Sequence, residues 1–448
     1  MRSLLVIGGG ITGLAAAYIA ARQGRNVTLL EGSPEFGGLL QTFPIGGTRL
    51  EHFYHHHFTH DAEFRWLLRE LGLEDRLEFF DTTMGVFRDG KIFPFNGVGD
   101  LLRFDPLSFL DKIRFGLSSL YLARVADWRK TEDIPAMEWF RRHAGATSSE
   151  ALWGPMLNIK FGPYADQVPV SWMAGRLRQR LQSRKRGAEK LGYMRGSLSV
   201  LLEGLLEDLR KRGVSFVANA RVERMERAGG RIEKVATTQG AFSADDVLIT
   251  TPTTVVARLV EPLLPDYAAD LRKIEHFGAI CVVLELTRPL SSIYWLNVAD
   301  PGFPFGGIIE HTNLVPSSAY GGSHIVYLSR YFAAADPLAT ASEADMRATM
   351  LEPLRRIAPG FSSEIIRGAQ VFRTLTAAVV CGRNFSRVVP RCRTPIENLF
   401  LANMTHVYPD ERSCNNSIRV AAEACRVMGL DSAMVPEGAS LSGKIGME

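Results

Sequence analysis

The chain has 448 residues, and this length predicts two or three domains, one of which could be assembled from separate segments. Hydrophobic residues make up 46% of the chain and charged residues 22%, a composition typical of a globular enzyme. The formal net charge of +4 is too small to indicate nucleic-acid binding, and no RNA- or DNA-binding motif is present.

Cysteine usage and hydropathy predict where the protein works. The five cysteines form no C-x-x-C pair, which favours a reduced protein inside the cell. The N-terminal stretch is apolar like a signal peptide, but three consecutive glycines and a second strand directly after it argue against one. No run of about 18 or more apolar residues predicts a transmembrane helix. We therefore expect a cytoplasmic protein, with association at a membrane surface as a further option.

The N-terminal elements predict a dinucleotide-binding fold. Residues 3–7 form a short apolar run typical of a buried parallel strand. Residues 8–13 satisfy the pattern G-x-G-x-x-G, and the alanine-rich stretch 13–23 predicts a helix. A second strand is predicted at 26–30, directly before Glu31. This order of strand, glycine turn, helix, strand and acid is far more specific than the glycine motif alone.

Each residue of this motif has a physical role toward a dinucleotide. Gly8 makes the tight turn, Gly10 lets the backbone approach a pyrophosphate, and Gly13 allows helix and strand to pack closely. Glu31, which follows Gly13 by 18 residues, is placed to accept hydrogen bonds from an adenosine ribose. Its carboxylate disfavours a 2′-phosphate, so the expected ligand is FAD or NAD and not NADP. The predicted phosphate-binding residues are Gly8, Gly10, Ile11, Thr12 and Gly13.

The residues that follow Glu31 favour FAD. The stretch EGSPEFGGLLQTF resembles the pattern E-x-x-x-x-x-G-G-x-x-x-T of the flavoprotein superfamily that contains protoporphyrinogen oxidases, flavin amine oxidases, carotenoid desaturases and UDP-galactopyranose mutases. In these proteins the glycine pair lies against the phosphates and ribityl chain of FAD, which a backbone without side chains can approach closely. The corresponding residues here are Gly37, Gly38, Leu39 and Leu40.

A middle segment, residues 213–260, resembles the same superfamily in its succession of strands and a hairpin. The resemblance implies that the residue at position 222, Val222, holds the adenine through its backbone N–H and C=O groups. It also implies that a strand brings Thr250, Thr251 and Pro252 back under the nucleotide. These four residues are therefore expected to bind the cofactor.

A third segment, residues 397–425, resembles the strand, polar turn and helix that complete the superfamily's nucleotide domain. That helix directs its N-terminus at the flavin pyrimidine ring, where negative charge is stabilised. The superfamily usually has Gly-Asp or Gly-Glu after the strand, whereas this chain has Asn403 and Met404, which weakens one expected contact. The residues predicted to face the cofactor are Asn403, Met404, Asn415, Asn416, Ser417 and Ile418.

The three matching segments predict the fold class and the domain organisation. We expect an α/β protein whose Rossmann-type FAD-binding domain is built from discontinuous segments, with an inserted α+β substrate domain that forms a lid. Helical patterns dominate the first insertion and strand patterns the second. The predicted boundaries are 1–75, 191–260 and 391–435 for the FAD-binding domain, 76–190 and 261–390 for the substrate domain, and 436–448 for a flexible tail.

Two stretches of the first insertion have alternative interpretations. Residues 98–128 could form a pair of amphipathic helices on a membrane surface, although helices that bury their apolar side in the lid are the preferred interpretation. The basic run 176–195 is either a solvated helix surface or a binding site for an anionic substrate, because arginine recognises carboxylate and phosphate groups. The candidate substrate-binding residues are Arg176 and Arg180, which share one helical face, and Arg412.

Residues 49–61 contain five of the ten histidines of the chain. The resemblance places this stretch across the substrate side of the flavin, before a helix at 62–72 for which Asp61 is the predicted N-cap. No metal site is expected, because consecutive histidines in an extended segment point to opposite sides and no nearby cysteine completes a ligand set. The candidate catalytic or substrate-orienting residues are His55, His56 and His57, and packing is the alternative role.

The resemblance implies an FAD-dependent oxidoreductase that holds FAD without a covalent bond and takes a hydride from a C–H bond of a small substrate. The arginines of the basic run predict that this substrate is anionic. A classical amine oxidase is less favoured, because the strand predicted at 275–286 lacks the lysine that those enzymes place near the flavin. Two alternatives stay open. One is an isomerase resembling UDP-galactopyranose mutase, in which reduced flavin attacks a sugar's anomeric carbon. The other is a flavoprotein without catalytic activity.

Overall fold

The computed structural model describes residues 2–185, 188–438 and 444–447. At its centre is a five-stranded sheet in which every neighbouring pair is parallel. Its strands come from three distant parts of the chain, which confirms a Rossmann-type domain built from discontinuous segments. From edge to edge the strands are Ser215–Val217, Asn26–Leu30, Ser3–Ile7, Asp246–Ile249 and Leu399–Leu401.

Alternate side chains of the central strands point into two separate cores. Leu4 and Val6 belong to one core, and Leu5 and Ile7 belong to the other. The helices that contribute to the first core are Ile11–Arg22, Ala62–Glu70, Ser199–Lys211 and Cys414–Val427. The second core is covered by the antiparallel strands Val222–Ala228, Arg231–Thr237 and Gly240–Phe242 and by the helices Thr253–Val260 and Pro265–Arg272.

The inserted segments meet in a single seven-stranded sheet. Most of its pairs are antiparallel, but Met84–Arg88 from the first insertion pairs in parallel with Trp295–Val298 from the second. The first insertion therefore supplies strands as well as helices to the substrate domain. From edge to edge the strands are Ile366–Val379, His276–Leu286, His324–Phe332, Gly307–Glu310, Trp295–Val298, Met84–Arg88 and Lys91–Pro94.

Helices cover this sheet and form the lid. Glu343–Leu351 and Leu354–Ile357 share an apolar core with the sheet. The other lid helices surround a second core that contains Trp153 and Phe140, whose rings stack with centroids 4.2 Å apart. These helices are Val98–Leu102, Phe109–Arg124, Ala136–His143, Ala146–Ser148, Gly154–Phe161 and Val170–Gln182.

Short strands connect the two domains. One group is the hairpin of Thr42–Ile45 and Thr48–Glu51. The other is an antiparallel set in which the histidine segment takes part, since its strand pairs with the strand Ala188–Met194 inside the basic run. The strands of this set are His57–Phe58, Leu77–Asp81, Arg184–Lys185 and Ala188–Met194.

The C-terminal residues after 435 were expected to form a flexible tail. Residues 439–443 and 448 lie outside the described residues. The backbone N–H of Gly438 donates to Glu63 Oε1 at 3.1 Å, and the backbone N–H of Cys392 donates to the carbonyl of Gly446 at 2.5 Å. The parts of this segment that the structure describes therefore contact the FAD-binding domain.

Across residues 2–185, 188–438 and 444–447, every helix is too short or too polar to span a bilayer.

Candidate functional site

One cavity of about 620 Å³ extends from the glycine turn of the central sheet to the lid. It opens at the carboxyl ends of the parallel strands, which is where α/β sheets bind their ligands. Most residues predicted to bind the cofactor line this cavity. They are Gly8, Gly10, Ile11, Thr12, Glu31, Gly38, Leu39, Leu40, Thr250, Thr251, Pro252, Met404 and Ser417.

The glycine turn fits the pyrophosphate of a dinucleotide. A Cβ atom at Gly10 would meet no heavy atom within 4 Å, so this backbone faces open space that a ligand can occupy. A Cβ at Gly13 would lie 2.0 Å from the carbonyl oxygen of Gly8, which explains why only glycine allows this close packing. The buried hydroxyl of Thr251 has no hydrogen-bond partner in the described part of the chain and lies on the cavity wall.

Glu31 is held in place at the nucleotide end of the cavity. Its Oε2 accepts the backbone N–H of Gly9 at 2.8 Å, and its Oε1 accepts the N–H and the hydroxyl of Ser33 at 2.8 and 2.6 Å. An ionised carboxylate has about four acceptor positions, so it can still accept a ribose hydroxyl. The geometry is therefore compatible with the predicted ribose contact.

Seven other residues predicted to bind the cofactor lie behind the cavity wall. Gly37 donates its backbone N–H to the carbonyl of Gly9 at 2.8 Å, and Ile418 is fully buried in the helical core. Val222 is also buried, at the start of its strand in the three-stranded sheet. The set outside the cavity lining is Gly13, Gly37, Val222, Asn403, Asn415, Asn416 and Ile418.

The three asparagines of this set stabilise the cavity wall through hydrogen bonds. The side-chain amide of Asn403 donates to the carbonyl of Thr251 at 2.8 Å and so fixes the strand end below the nucleotide. Asn415 Oδ1 accepts the backbone N–H of Phe64 at 3.0 Å, and Asn416 Nδ2 donates to the carbonyl of Glu411 at 2.7 Å. These contacts place the asparagines behind the lining, so Met404 and Ser417 are the residues of the predicted C-terminal set that line the cavity.

Two histidines of the predicted catalytic set face the cavity. His55 Nδ1 donates to the carbonyl of Phe53 at 2.6 Å, which leaves Nε2 of this ring as an acceptor. Desolvation, followed by the charge of Arg412, lowers the pKa of His55 to about 4. Desolvation and the charge of Arg180 lower the pKa of His56 to about 3. Both rings are therefore neutral near pH 7 and can accept hydrogen bonds there.

His57 lies outside the cavity. Its ring stacks on Phe64 with a centroid distance of 3.7 Å and an interplanar angle of 11°. The strand His57–Phe58 pairs with Leu191 and Gly192, and the side-chain alternation of a strand turns His57 away from His56. This placement removes His57 from the candidates for direct contact with a substrate.

Asp61 precedes the helix Ala62–Glu70 as expected, but its side chain does not cap that helix. Oδ2 of Asp61 instead accepts the backbone N–H of Phe58 at 2.9 Å and lies 3.9 Å from Nδ1 of His57. The carboxylate thus stabilises the turn that holds the histidines. Burial raises the pKa of Asp61 to about 7.

The depressed pKa of His56 predicts a loss of stability in acid. The unfolded chain takes up a proton as the pH falls through the ordinary value of 6.5, whereas the folded ring stays neutral down to about pH 3. The contribution of the neutral ring to the free energy of unfolding is therefore fully present above pH 6.5 and is lost as the pH falls from 6.5 toward 3. Between about pH 7 and pH 5, wild-type protein should lose up to about 2 kcal/mol more than His56→Gln.

Urea denaturation at the two pH values, with equal FAD, measures this difference. His324→Gln is the matched control, since it makes the same substitution at a partly buried histidine outside the cavity lining. Equal pH dependence in wild type and His56→Gln would show that folding does not lower the pKa of His56.

Arg176 and Arg180, both in the helix Val170–Gln182, line the lid end of the cavity. Arg176 Nη1 binds both carboxylate oxygens of Glu411, at 2.7 and 2.8 Å. Arg180 Nη1 binds both oxygens of the buried Glu189, at 3.1 and 2.9 Å. The structure therefore brings the two predicted arginines together at the cavity. The other basic residues of the run 176–195 do not line it, except Lys185 and Arg186, whose side chains lie outside the described residues.

Arg412, the third predicted arginine, lies in the same wall. Its Nη2 donates to the hydroxyl of Tyr331 at 3.1 Å, and no described carboxylate lies within ion-pair distance. Desolvation raises the pKa of Tyr331, but the positive charges of Arg412 and Lys160 outweigh it and lower that pKa. The charge of Arg412 is thus available to a ligand in the cavity.

Sequence reasoning missed Lys160 and Glu411. Lys160, in the helix Gly154–Phe161, lines the cavity and forms an ion pair with Glu411. Desolvation raises the pKa of Glu411, but the charges of Arg176 and Lys160 outweigh it and hold that pKa below its ordinary range. The sequence signal that could have identified Glu411 is its position next to Arg412 in a polar turn. Nothing in the local sequence marked Lys160.

Ser413, also missed, lines the cavity beside Cys414 and Ser417. Ser413 accepts the backbone N–H of Asn416 at 3.1 Å and caps the helix Cys414–Val427. A serine directly before an apolar helix is a recognisable N-cap signal. In the ranges that the structure describes, no three histidine, cysteine, aspartate or glutamate side chains are arranged to hold a metal ion.

The fold and the cavity together define a dinucleotide-binding enzyme with a covered substrate site. Residues 11–406 match the model of the family described as flavin containing amine oxidoreductase. Because this match covers most of the chain, the protein belongs to that family. It is an FAD-dependent oxidoreductase of the amine oxidase and protoporphyrinogen oxidase type, as predicted.

Individual relatives agree with this assignment. The chain is 26% identical over 384 residues to a coproporphyrinogen III oxidase of Propionibacterium freudenreichii subsp. freudenreichii, with 71% of each chain covered. Its fold is similar to a protein assigned as a protoporphyrinogen oxidase from Exiguobacterium sp. 255-15, with a TM-score of 0.75, 20% identity, and 94% and 97% of the two chains covered. It is also similar to reduced UDP-galactopyranose mutase, with a TM-score of 0.72, 15% identity, and 98% and 96% covered.

Proposed function

We propose that the protein oxidises a small anionic substrate of the porphyrinogen class, which carries several carboxylates. The observation that supports this most is the charge of Arg412, which has no carboxylate partner among the described residues and lines the same cavity as Lys160, Arg176 and Arg180. Several curated relatives are named coproporphyrinogen III oxidase, which is consistent with this substrate class.

The nucleotide end of the cavity would hold the cofactor without a covalent bond. Gly10 and the amides that begin the helix Ile11–Arg22 would bind the pyrophosphate, and Glu31 would bind the ribose. Bound FAD supplies the two-electron acceptor for hydrogen removed from a substrate C–H bond. The cofactor carries this chemistry, so the protein's task is to bind and orient the substrate against it.

The neutral histidines suit the ring of such a substrate. Nε2 of His55 is an acceptor, and Nδ1 of His56 has no hydrogen-bond partner in the described structure. Both can therefore accept hydrogen bonds from pyrrole N–H groups, which have no negative charge. A pKa of about 4 for His55 makes it a weak base and a poor proton donor near pH 7, so we assign it to substrate orientation.

The arginines would bind the substrate carboxylates at the lid end. Arg412 can donate to a carboxylate directly, because it has no carboxylate partner of its own in the described structure. Arg176 shares Glu411 with Lys160, so two cations face one internal carboxylate. This excess of positive charge favours a substrate with more than one negative group.

Turnover of coproporphyrinogen III tests the proposal. FAD-loaded protein should convert it to a coloured, fluorescent porphyrin with consumption of oxygen, above the rate of a heat-inactivated sample. The tetraethyl ester of the same compound, which keeps the ring and lacks the charges, should react far more slowly, because each lost charged hydrogen bond costs about 1.5–3 kcal/mol. Oxidation of the ester or of putrescine at the same rate as the acid would contradict an anionic substrate.

An isomerase resembling UDP-galactopyranose mutase is the second candidate, because the same cations could bind a pyrophosphate. Chemically reduced protein would then interconvert UDP-galactopyranose and UDP-galactofuranose without consuming oxygen. This outcome, together with no porphyrin formation, would replace the proposed oxidase function.

A further inference from the structure

The lid helix Phe109–Arg124 exposes an apolar surface. Of the twelve large hydrophobic side chains that are substantially exposed in the described ranges, nine lie between residues 98 and 125. Six belong to this helix, and exposure reaches 69% for Phe109 and 64% for Leu117. The six are Phe109, Leu110, Ile113, Leu117, Leu120 and Tyr121, and we call them, with Val98, Leu102 and Val125, the apolar face.

The opposite side of the same helix is buried in the lid. Phe115 and Leu122 belong to the lid core, and Phe115 stacks on Trp153 with centroids 4.9 Å apart. The preferred expectation, that this helix buries its apolar side in the lid, is therefore correct for one side and wrong for the other. A helix that is apolar on both sides needs a partner for the second side, since monomeric proteins rarely expose large apolar patches.

The exposed apolar residues are concentrated on one strip. At about 100° per residue, the six helical members fall within a sector of about 120°. The charged residue inside this sector is Arg124, at the last position of the helix, and Arg114 lies at its edge. This arrangement of an apolar strip with basic residues at its end and rim is typical of helices that lie in a membrane interface.

Basic residues border the apolar face. Two of the nearby acids, Asp100 and Asp111, take part in local hydrogen bonds, and a third, Asp105, is exposed. Lys112 donates Nζ to the carbonyl of Leu102 at 2.8 Å. Asp111 accepts the hydroxyl of Ser108 at 2.7 Å in the helix cap, and Asp100 accepts the side chain of Asn96 at 2.9 Å. The helix itself contains three cations and one acid, so its charge is complementary to an anionic surface.

We infer that the apolar face docks this protein on the surface of an anionic lipid bilayer. The face inserts among the acyl chains to the depth of one helix side, and Arg114 and Arg124 contact lipid phosphates. A second copy of the chain fits less well. A two-fold contact would bring the same patch of both copies together, and the cations around it would repel each other.

This docking would place the membrane behind the substrate site. Phe109–Arg124 packs against Val170–Gln182, the helix that carries Arg176 and Arg180 into the cavity. One helical layer thus separates the apolar face from the cavity wall. The inference does not depend on the substrate class, because it uses only the outer side of the lid.

Vesicle co-sedimentation tests the inference with FAD-loaded full-length protein. Wild type should pellet with vesicles of phosphatidylcholine and phosphatidylglycerol in equal amounts, and less with phosphatidylcholine alone. Leu110→Glu combined with Leu117→Glu should lower the partition coefficient by at least about tenfold, because two charges replace apolar side chains that would insert into the bilayer. Leu375→Glu is the matched control, since Leu375 is 61% exposed outside the apolar face and should bind as wild type does.

A second pair of variants tests the charges separately. Arg114→Gln with Arg124→Gln should lower binding to the phosphatidylglycerol vesicles by roughly tenfold and remove the preference for anionic lipid. Wild-type protein that does not pellet with anionic vesicles, or that pellets as well with the double glutamate change, would overturn the inference. A wild-type dimer that the glutamates convert to a monomer, without vesicle binding, would identify the face as a contact between copies instead.

Discussion

Gly10→Leu should strongly weaken FAD binding while the chain still folds. The position has φ −75° and ψ 177°, which any residue adopts, and a Cβ atom added there would meet no protein atom within 4 Å. The leucine would instead fill the space proposed for the pyrophosphate. We expect FAD affinity to fall by at least about a hundredfold, or about 2.8 kcal/mol, measured by flavin titration into apoprotein.

Gly382→Leu is the matched control for this change. It adds the same side chain at a glycine with equally open surroundings that does not line the cavity, so FAD affinity should stay at the wild-type value. Circular dichroism of both apoproteins checks that the fold is retained. Normal FAD affinity in a folded Gly10→Leu protein would show that the pyrophosphate binds elsewhere.

Arg412→Met should have the largest effect on an anionic substrate. The substitution keeps much of the side-chain volume and removes the charge that has no described carboxylate partner. Loss of a charged hydrogen bond costs about 1.5–3 kcal/mol, so kcat/KM for coproporphyrinogen III should fall by roughly ten- to a hundredfold. Arg412→Lys should lie between methionine and wild type, because lysine keeps the charge but not the planar fork.

Arg383→Met controls for the loss of a positive charge, since Arg383 is exposed and outside the cavity lining. It should leave kcat/KM unchanged. The FAD content of each variant separates two explanations. Retained FAD with reduced kcat/KM supports substrate binding by Arg412, whereas loss of FAD would assign Arg412 to the cofactor. Unchanged kcat/KM in Arg412→Met would contradict both roles.

The nucleotide end of the site was predictable because its physics is local. A tight turn, a close backbone approach and a helix start need Gly8, Gly10 and Gly13 at fixed spacing, and the structure has these residues where the spacing implies. The strand, helix and strand around them are short-range elements as well. The predicted Rossmann-type fold with an inserted domain is confirmed for this reason.

The substrate end was less predictable because its residues meet only through tertiary structure. Lys160 and Glu411 form an ion pair across 251 positions of the chain, and no local pattern relates them. The positions of the histidines were predictable only in part. Alternation predicts that neighbouring histidines point apart, but only the strand pairing of His57–Phe58 decides that His55 and His56, and not His57, face the cavity.

The way the strands are shared between distant segments limits how the chain can fold during synthesis. The parallel pair of Met84–Arg88 and Trp295–Val298 joins residues 211 positions apart, and the central sheet gains its last strand only at Leu399–Leu401. Such non-local pairings slow folding and leave strand edges open until their partners arrive. Neither sheet can close on the ribosome before most of the chain has emerged. The early pairs, Ser3–Ile7 with Asn26–Leu30 and Met84–Arg88 with Lys91–Pro94, therefore keep one edge open until their distant partners emerge, and we expect chaperones that bind nascent chains to raise the yield of folded protein.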